Sequence, residues 1–575
     1  MTDHPHLRRR TLVKGIAAAS LLPLLTGNLL GCSDSSDALP VPEGVAADFN
    51  HGLASGDPLT DRVIIWTRVT PREQGFVTVE WEVASDDSFA NMVASGRGNT
   101  DESVDFTVKV DVTDLSPGST YFYRFRVLDV VSTTARTRTA PAGATASASF
   151  AVVSCSNYPA GYFHVYREVA AQPVDAVLHL GDYIYEYAPG GYASANAEAL
   201  DRVVQPAGEL LSLADYRTRY AQYRTDPDLQ AAHSAHPFIV VWDDHEIAND
   251  AWREGAENHD PATEGDYSER RAAAIQAWYE WLPVRPPATE QEIIYRRLPY
   301  GDLVDLIMLD TRVIGRDKQF VYPDFVSGGR IDVEATRAAI AAPDRTLLGA
   351  EQLAWLEAQL IDSTARWQVL GQQVLMARYP LPAPILEALE PSISGGDALG
   401  AGTAAVLAAV AAKNKAPEDR TPEEQALLDS AVPYNLDAWD GYAFERDRVL
   451  EVARQMNSRL VALAGDTHNA WASQLLAATG EVVGVELATA SVSSPGLEAV
   501  LGVGAAGLFA PLISVLVDDL VYANLLDRGY LVTRFDAEEV TAQWRYVTTI
   551  DTVEYSEKAA SFREQVVQRA DMLLS

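Results

Sequence analysis

The chain has 575 residues, of which 45 are lysine or arginine and 80 are aspartate or glutamate, giving a formal net charge of −35. This charge excludes nucleic-acid binding through a basic surface, two cysteines exclude a disulfide scaffold, and 47% hydrophobic residues exclude a disordered chain. At roughly 100–200 residues per domain, the length predicts two to four globular domains.

Residues 1–31 are predicted to be an export signal. Three arginines at 8–10 precede an apolar stretch at 16–25, a pattern typical of the signals read by the twin-arginine export machinery. A Leu-Leu-Gly sequence before Cys32 resembles a lipoprotein cleavage site, which predicts a lipid tether on that cysteine. A transmembrane anchor is the alternative, but about fifteen apolar residues cross a ~30 Å bilayer core with difficulty. We expect an exported protein, periplasmic or at the cell surface and lipid-anchored.

Residues 32–47, rich in serine, aspartate and proline, predict a flexible tether, and residues 48–147 predict a β-sandwich. Three segments of this second region (63–69, 76–83 and 121–127) are rich in β-branched and aromatic residues, and turn signals separate them. Strands at this spacing are typical of an immunoglobulin- or fibronectin-like sandwich. We assign no chemistry to this region.

Residues 148–575 alternate apolar strand-like runs with helical stretches, which predicts a layered α/β catalytic domain. In such sheets the loops that leave the carboxyl ends of the strands carry the functional site. The predicted buried strands are 149–154, 176–180, 238–242, 303–309, 367–370, 460–464 and 482–488.

Four of these runs end in potential metal ligands. The residues concerned are Cys155 after the first run, Asp182 and Tyr185 after the second, Asp244, His245 and Asn249 after the third, and Asp466 and His468 after the run 460–464. One such coincidence is weak evidence, since aspartate commonly opens turns. Four in one chain indicate a single site.

The ligand types suit metal-assisted hydrolysis of phosphate esters. Two or more cations clamp the attacking and leaving oxygens and acidify a water, so that a metal-activated hydroxide attacks phosphorus. A phenol and a thiol lose their protons to a hard, highly charged ion, and together they indicate ferric iron. Oxygen ligands such as Asp244 and Asn249 suit calcium, magnesium or manganese.

Several motifs together resemble those of the PhoD-type alkaline phosphatases, which belong to the calcineurin-like metallophosphoesterases. They are Cys-Ser-Asn at 155–157, His-Leu-Gly-Asp-Tyr-Ile-Tyr at 179–185, Trp-Asp-Asp-His-Glu at 242–246 and Gly-Asp-Thr-His at 465–468. The resemblance implies an N-terminal sandwich followed by a four-layer αββα domain. It also implies export, activity on phosphate mono- and diesters, and an iron–calcium centre.

By this resemblance, Cys155, Asp182 and Tyr185 would hold Fe³⁺, and Asp182 would bridge to Ca²⁺. Asp244, Asn249, Asp466 and His468 would supply the remaining ligands, although Asp243 is an alternative to its neighbour. His245 would contact the phosphate and assist the leaving group, or else orient a carboxylate. Arg312 would neutralise a phosphate oxygen or form a structural ion pair.

Two segments lie outside the family pattern. Residues 386–428 contain an alanine-rich stretch that predicts a helical insertion near the site, either a lid or a solvated excursion. Residues 499–517 form an almost uncharged run of nineteen residues, for which we favour a buried or surface-docking element over a membrane span.

The leading hypothesis is an exported phosphatase, with a phosphate ester as substrate and a monomeric state. A phospholipase D-like or teichoic-acid-like phosphodiesterase is the alternative enzyme. A cell-surface protein that keeps the fold without turnover is the alternative from another class.

Overall fold

The computed structural model describes residues 44–287, 292–389 and 398–575. The predicted export signal, the lipid site at Cys32 and most of the predicted tether lie outside the described residues, so these expectations stay predictions. In the described part of the chain, we find no helix with the length and apolar composition needed to cross a membrane.

A nine-stranded mixed sheet carries three of the four strand ends with predicted ligands. Across the sheet its strands are β27 (Arg563–Gln568), β26 (Glu539–Tyr546), β25 (Gly529–Phe535), β11 (Ala148–Val153), β12 (Ala176–His179), β13 (Pro237–Val240), β2 (Leu53–Gly56), β3 (Val63–Arg68) and β7 (Thr107–Val112). Strands β11, β12 and β13 are parallel to one another, so their carboxyl ends meet at one edge of the sheet. Strand β25 pairs antiparallel with β11.

A seven-stranded mixed sheet carries the fourth strand end. Its order is β14 (Arg296–Tyr300), β15 (Val304–Met308), β18 (Trp367–Gly371), β21 (Leu460–Ala464), β23 (Val482–Ala488), β22 (Ala470–Leu476) and β24 (Leu520–Asn524). The middle strands β15, β18, β21 and β23 run parallel. All seven apolar runs predicted as strands of the catalytic region are therefore confirmed as strands of these two sheets.

A further sheet in the N-terminal region packs on the edge of the nine-stranded sheet. It consists of β10 (Ala135–Arg138), β8 (Thr120–Val127), β5 (Val77–Ala84) and β6 (Met92–Thr100), with β9 (Val130–Val131) paired to β8. Buried Val79 and Phe125 of this sheet share a core with Leu53 and Ile65 of β2 and β3. Two-stranded pairs complete the strands: β1 (Ala47–Asp48) with β4 (Thr70–Pro71), β16 (Val326–Ser327) with β17 (Arg330–Ile331), and β19 (Pro380–Pro382) with β20 (Ala431–Pro433).

Strands of the N-terminal region and of the catalytic region belong to one sheet, and the predicted β-sandwich at 48–147 stays a prediction. Strand β2 pairs in parallel with β13, with Gly56 opposite Phe238. This pairing covers the edge of β13, whose unpaired backbone groups would otherwise be exposed. A Cβ on Gly56 would lie 2.5 Å from the Phe238 oxygen, so glycine is needed for this close approach.

The described chain also contains α-helices, several of which contact strands of the two large sheets. Those described are α1 (His164–Ala170), α2 (Leu213–Tyr223), α3 (Pro227–Ala235), α4 (Tyr267–Trp281), α5 (Val333–Ile340), α6 (Gly349–Asp362), α7 (Ala383–Leu389), α8 (Ala398–Lys413), α9 (Pro422–Asp429), α10 (Ala443–Gln455), α11 (Leu497–Leu501) and α12 (Val503–Leu516). Local caps start several of them: Ser212 and Asp215 form a capping box on α2, and Asp226 caps α3.

Two hydrophobic cores follow from alternation along the strands. Within β21, Val461 and Leu463 belong to the core shared with β11 and β12, whereas Leu460 and Ala462 face α6 and α10. Buried side chains of the nine-stranded sheet, such as Val152, belong to the same core as Val461. The two large sheets therefore share one core, and residues of β21 that alternate with it belong to a second core with helices α6 and α10.

The alanine-rich insertion is helical, as predicted. Helix α8 packs against α7, α9 and α12, and Lys413 at its end forms a 2.8 Å ion pair with Asp518. The apolar run 499–517 forms α11 and α12 on the surface. Within it Phe509 and Ile513 are buried, but Leu508 is 70% exposed. The run therefore forms two short, partly buried helices, and its docking to a surface stays a prediction.

Candidate metal centre

Strands from both sheets bring the predicted ligands to one place. Cys155 follows β11, Asp182 follows β12, and Asp466 follows β21. The backbone φ angles of these three residues are +62°, +56° and +61°, a left-handed conformation that residues other than glycine rarely adopt. Such conformations cluster at functional sites, where the surrounding fold holds them in place.

Gly181 and Glu246 allow the loop at Asp182 to pack closely against the loop at Asp243. A Cβ on Gly181, which has φ +108°, would lie 2.5 Å from the Asp243 nitrogen, so only glycine fits between the two loops. The buried Glu246 carboxylate accepts hydrogen bonds from the backbone nitrogens of Asp182 at 3.0 Å and Asp243 at 2.8 Å. Burial raises the pKa of Glu246 to about 8.

Potential ligand atoms form three overlapping groups, each within 4.8 Å. The first group is Cys155, Asp182 and His468, the second is Asp182, Asp244 and His245, and the third is Asp243, Asp244 and Asp466. The first two groups share Asp182 and the last two share Asp244, so the three form one continuous cluster. The expectation that four strand ends converge on one site is confirmed by this geometry.

The Tyr185 phenol returns to the same cluster, as its place three residues after Asp182 predicted. Its hydroxyl donates to Asp182 Oδ2 at 2.9 Å and lies 3.2 Å from His468 Nε2. The Ser494 hydroxyl donates to the same phenol oxygen at 2.6 Å. The phenol oxygen therefore lies among the atoms of the first group.

The donor set fits bound cations. Two buried carboxylate oxygens, Asp182 Oδ1 and Asp243 Oδ2, have no hydrogen-bond partner among the described residues, and such buried acceptors are costly to leave unsatisfied. Burial and the charge of Asp182 raise the pKa values of the Cys155 thiol and the Tyr185 phenol well above their usual ranges. A multivalent cation would satisfy the free oxygens and let the thiol and the phenol bind in their charged forms.

His245 is held by the buried Glu186. Its Nδ1 lies 2.7 Å from Glu186 Oε2, and Glu186 also accepts a 2.8 Å hydrogen bond from the Asn249 backbone nitrogen. Burial opposes protonation of His245, but the charges of Asp244 and Glu186 outweigh it and raise the pKa of His245 well above its usual value. The contact with Glu186 fixes the ring orientation and favours the protonated imidazole.

Arg312 is buried and surrounded by carboxylates. Its Nη2 donates to Asp466 at 2.9 Å, its Nη1 donates to Asp437 at 2.9 Å, and its Nε donates to Asp243. These contacts match the structural ion pair weighed for Arg312, and its contact with a phosphate oxygen stays a prediction. A fixed cation here neutralises part of the negative charge that the clustered aspartates create.

The choice between Asp243 and Asp244 as ligands stays open. Both oxygens of Asp244 accept backbone hydrogen bonds, from His245 at 3.0 Å and from Asp250 at 2.6 Å. Asp243 keeps one oxygen free, which favours it as an additional donor. The Asn249 side chain donates to Glu257 at 2.6 Å, so its ligand role also stays a prediction.

Sequence reasoning missed Glu186 and Tyr192. The Tyr192 hydroxyl donates to the Pro495 carbonyl at 3.1 Å and lies 3.3 Å from His468 Nδ1, and its ring stacks on that of Tyr185. Glu186 directly follows Tyr185 in a recognisable motif, so a search for a carboxylate partner of His245 would have found it. Tyr192 lies in a glycine-rich loop without such a signal.

Comparisons with known proteins agree with this geometry. The family model for the PhoD-like phosphatase matches residues 150–544, and the model for the N-terminal domain of PhoD-like phosphatases matches residues 35–141. The chain is 34% identical to alkaline phosphatase D of Bacillus subtilis over 509 residues, which cover 85% of this chain and 76% of that protein. A solved structure of PhoD superposes with a TM-score of 0.73 at 30% identity, covering 93% of both chains.

Proposed function

The chain belongs to the PhoD-like phosphatase family and is an alkaline phosphatase D-type phosphoric ester hydrolase, and we propose that it acts, with bound cations, on both phosphate mono- and diesters. The observation that carries the proposal is the continuous cluster of ligand atoms with two free buried oxygens, Asp182 Oδ1 and Asp243 Oδ2. This cluster has the composition that metal-assisted phosphoryl chemistry requires.

We assign ferric iron to the sulfur side of the cluster and calcium to the oxygen side. Cys155, Asp182 and Tyr185 would hold Fe³⁺, because thiolate and phenolate need a highly charged ion. Asp244, Asn249, Asp466 and His468, with Asp182 bridging and Asp243 as an alternative, would supply the ligands for Ca²⁺. Bound there, these ions supply charge neutralisation at the phosphate oxygens and acidify water.

Two residues of the protein would then assist the reaction, His245 at the leaving group and Arg312 by reducing the negative charge of the site. The protonated His245, held at Nδ1 by Glu186, lies in the second ligand group and presents its Nε2 for donation to the departing ester oxygen. Arg312, fixed by its carboxylates, lowers the net negative charge against which an anionic phosphate must approach.

The proposal includes the location and the architecture. We propose twin-arginine export to the periplasm or cell surface and a lipid on Cys32, on the strength of the N-terminal sequence. We also propose a monomer. We also propose the four-layer αββα arrangement of the catalytic region. The core shared by Val152 and Val461 on the facing sheets supports this arrangement.

Turnover with and without a chelator tests the proposed function. We expect the purified protein to hydrolyse p-nitrophenyl phosphate and bis(p-nitrophenyl) phosphate, and both activities to be lost after chelation and restored by added metal. The variant Asp182→Ala should be inactive, whereas Asp87→Asn, a change at an exposed residue of the N-terminal region, should keep full activity. Activity that survives complete metal removal would contradict the proposal, and a folded, metal-loaded protein without turnover would identify a binding protein instead.

A further inference from the structure

A cavity of about 490 Å³ lies beside the metal centre, and we call it the side cavity. Its walls come from the loop at 193–196, from the segment between Ser493 and Val503, and from the segments 526–528 and 547–551. A cavity of this volume is large enough for a small organic group.

Two residues that line the side cavity also contact residues of the metal centre. Pro495 lines the cavity, and its carbonyl oxygen accepts hydrogen bonds from His468 Nδ1 at 2.7 Å and from the Tyr192 hydroxyl at 3.1 Å. Ser493 lines the cavity and donates its backbone N–H to the Cys155 oxygen at 3.3 Å. The side cavity and the cluster therefore adjoin through these wall residues.

The basic groups that border the cavity are already paired, and its one carboxylate without an ion pair among the described residues is the exposed Asp551. The Arg528 guanidinium forms an ion pair with Glu498, and Asp527 forms an ion pair with Lys558 at 2.6 Å. The cavity therefore has no free arginine fork for a second phosphate group. Apolar side chains, among them Val503 and Ile550, line it together with hydroxyl and amide groups, so it suits an uncharged organic substituent.

We propose that the side cavity is the subsite that binds the second, uncharged alcohol substituent of a phosphodiester. This inference rests on the proposed function, because it requires the phosphate to be held at the metal cluster. A monoester has one substituent, which leaves, and makes no use of the subsite. Contacts in the side cavity therefore raise the efficiency of the enzyme on diesters relative to monoesters.

Filling the cavity tests the proposal. Val503 is 69% exposed at the start of α12 and lines the cavity, so Val503→Trp fills space without disturbing the core. We expect kcat/KM for bis(p-nitrophenyl) phosphate to fall about tenfold or more, mainly because KM rises. We expect kcat/KM for p-nitrophenyl phosphate to stay within about twofold of the value for the unchanged protein. Asn196→Trp, from the opposite wall, should reproduce the change if the first variant fails to fold.

The matched control is Leu508→Trp, which changes an equally exposed residue of the same helix that lies outside the cavity lining. This variant should leave the diester-to-monoester ratio unchanged. An unchanged ratio in both cavity variants, or an equal loss on both esters, would overturn the subsite. Absence of turnover of both esters by the unchanged metal-loaded protein would instead refute the proposed function, so the two failures are distinguishable.

Discussion

The Cys155 sulfur is buried among potential metal ligands, in surroundings that disfavour its charged form. The backbone φ of Cys155 is +62°, and its sulfur lies within 4.8 Å of potential ligand atoms of Asp182 and His468. Because burial and Asp182 raise the pKa of this thiol, the sulfur becomes a thiolate only with a cation beside it. Replacement of this sulfur therefore tests which metal the site binds.

Replacing this sulfur should remove one metal selectively. In Cys155→Ala we expect iron near zero, calcium largely retained, and little phosphatase activity, because the iron loses its thiolate ligand. Elemental analysis of the purified variant measures both ions. Ser95→Ala, at an exposed position of β6, is the control and should keep its iron. Unchanged iron in the cysteine variant would contradict the assignment.

We expect Glu186 to act through His245 rather than on the substrate. Glu186→Gln keeps the size of the side chain but loses the charge that orients the imidazole 2.7 Å away and favours its protonated form. We expect kcat to fall about 10–100-fold with little change in KM, and Glu186→Asp to recover part of the loss. Steady-state kinetics measures the split, with Glu254→Gln, at an exposed neighbouring position, as the control. An effect on KM alone would contradict a positioning role.

At the scale of single residues, the sequence predicted which residues form the site better than it predicted the contacts between them. Cys155, Asp182, Tyr185 and Asp466 follow strands, and strand ends of parallel sheets converge by topology, so their meeting was predictable. The contact of Tyr192 with His468 depends on how an irregular loop folds back, and no local pattern encodes that path.

Strand β23 carries an ionisable residue inside the seven-stranded sheet. The buried Glu486 accepts hydrogen bonds from the Met376 and Ala377 nitrogens and, at 2.8 Å, from the Tyr379 hydroxyl. Burial raises the pKa of Glu486 to about 7. The carboxyl of the unfolded chain titrates near its ordinary value, so the folded protein binds the proton more tightly.

This shift predicts a loss of stability as pH rises. Between the unfolded and folded pKa values the folded protein binds more protons, so the contribution of Glu486 to the free energy of unfolding falls by about 3 kcal/mol as pH rises from about 4.5 to about 7. Glu486→Gln cannot titrate. We expect the stability of the unchanged protein relative to this variant to fall by that amount between about pH 5 and about pH 8.

Denaturant unfolding at the two pH values measures the difference. The control is Glu481→Gln, which changes an exposed residue near the start of the same strand and should show a constant difference. A pH-independent difference for the Glu486 variant would show that the buried carboxyl titrates normally.

The strands themselves were predictable because continuous apolar runs between turn signals have few other interpretations. Their neighbours in the sheet were not. Phe238 pairs with Gly56 although 182 positions separate them in the sequence, and a one-sequence pattern carries no signal for such a distant register. The sharing of one sheet between the N-terminal and catalytic regions therefore emerged only from the structure.

At the scale of the whole molecule, this shared sheet predicts one unfolding transition. Asp57, 1% exposed, accepts a 2.6 Å hydrogen bond from Arg296 and a 2.8 Å bond from the Arg285 nitrogen, which ties the two regions together. We expect a single melting transition, lowered without splitting in Asp57→Ala, because removing one member of a buried ion pair costs about 3–5 kcal/mol.

Calorimetry measures the number of transitions and their shift. Asp87→Ala, at an exposed position of the N-terminal region, is the control and should melt like the unchanged protein. Two separate transitions, with only the first moved by Asp57→Ala, would show that the N-terminal region folds independently after all.

The position of β25 has a consequence for the order of events in the cell. The strand that leads to Cys155, β11, has β25 as one neighbour, and β25 begins at Gly529. A ribosome must therefore have made the chain as far as β25 before β11 can pair with this neighbour. Passage of an extended chain across a membrane would leave metal loading to the far side, whereas passage of the folded protein would deliver the centre ready assembled.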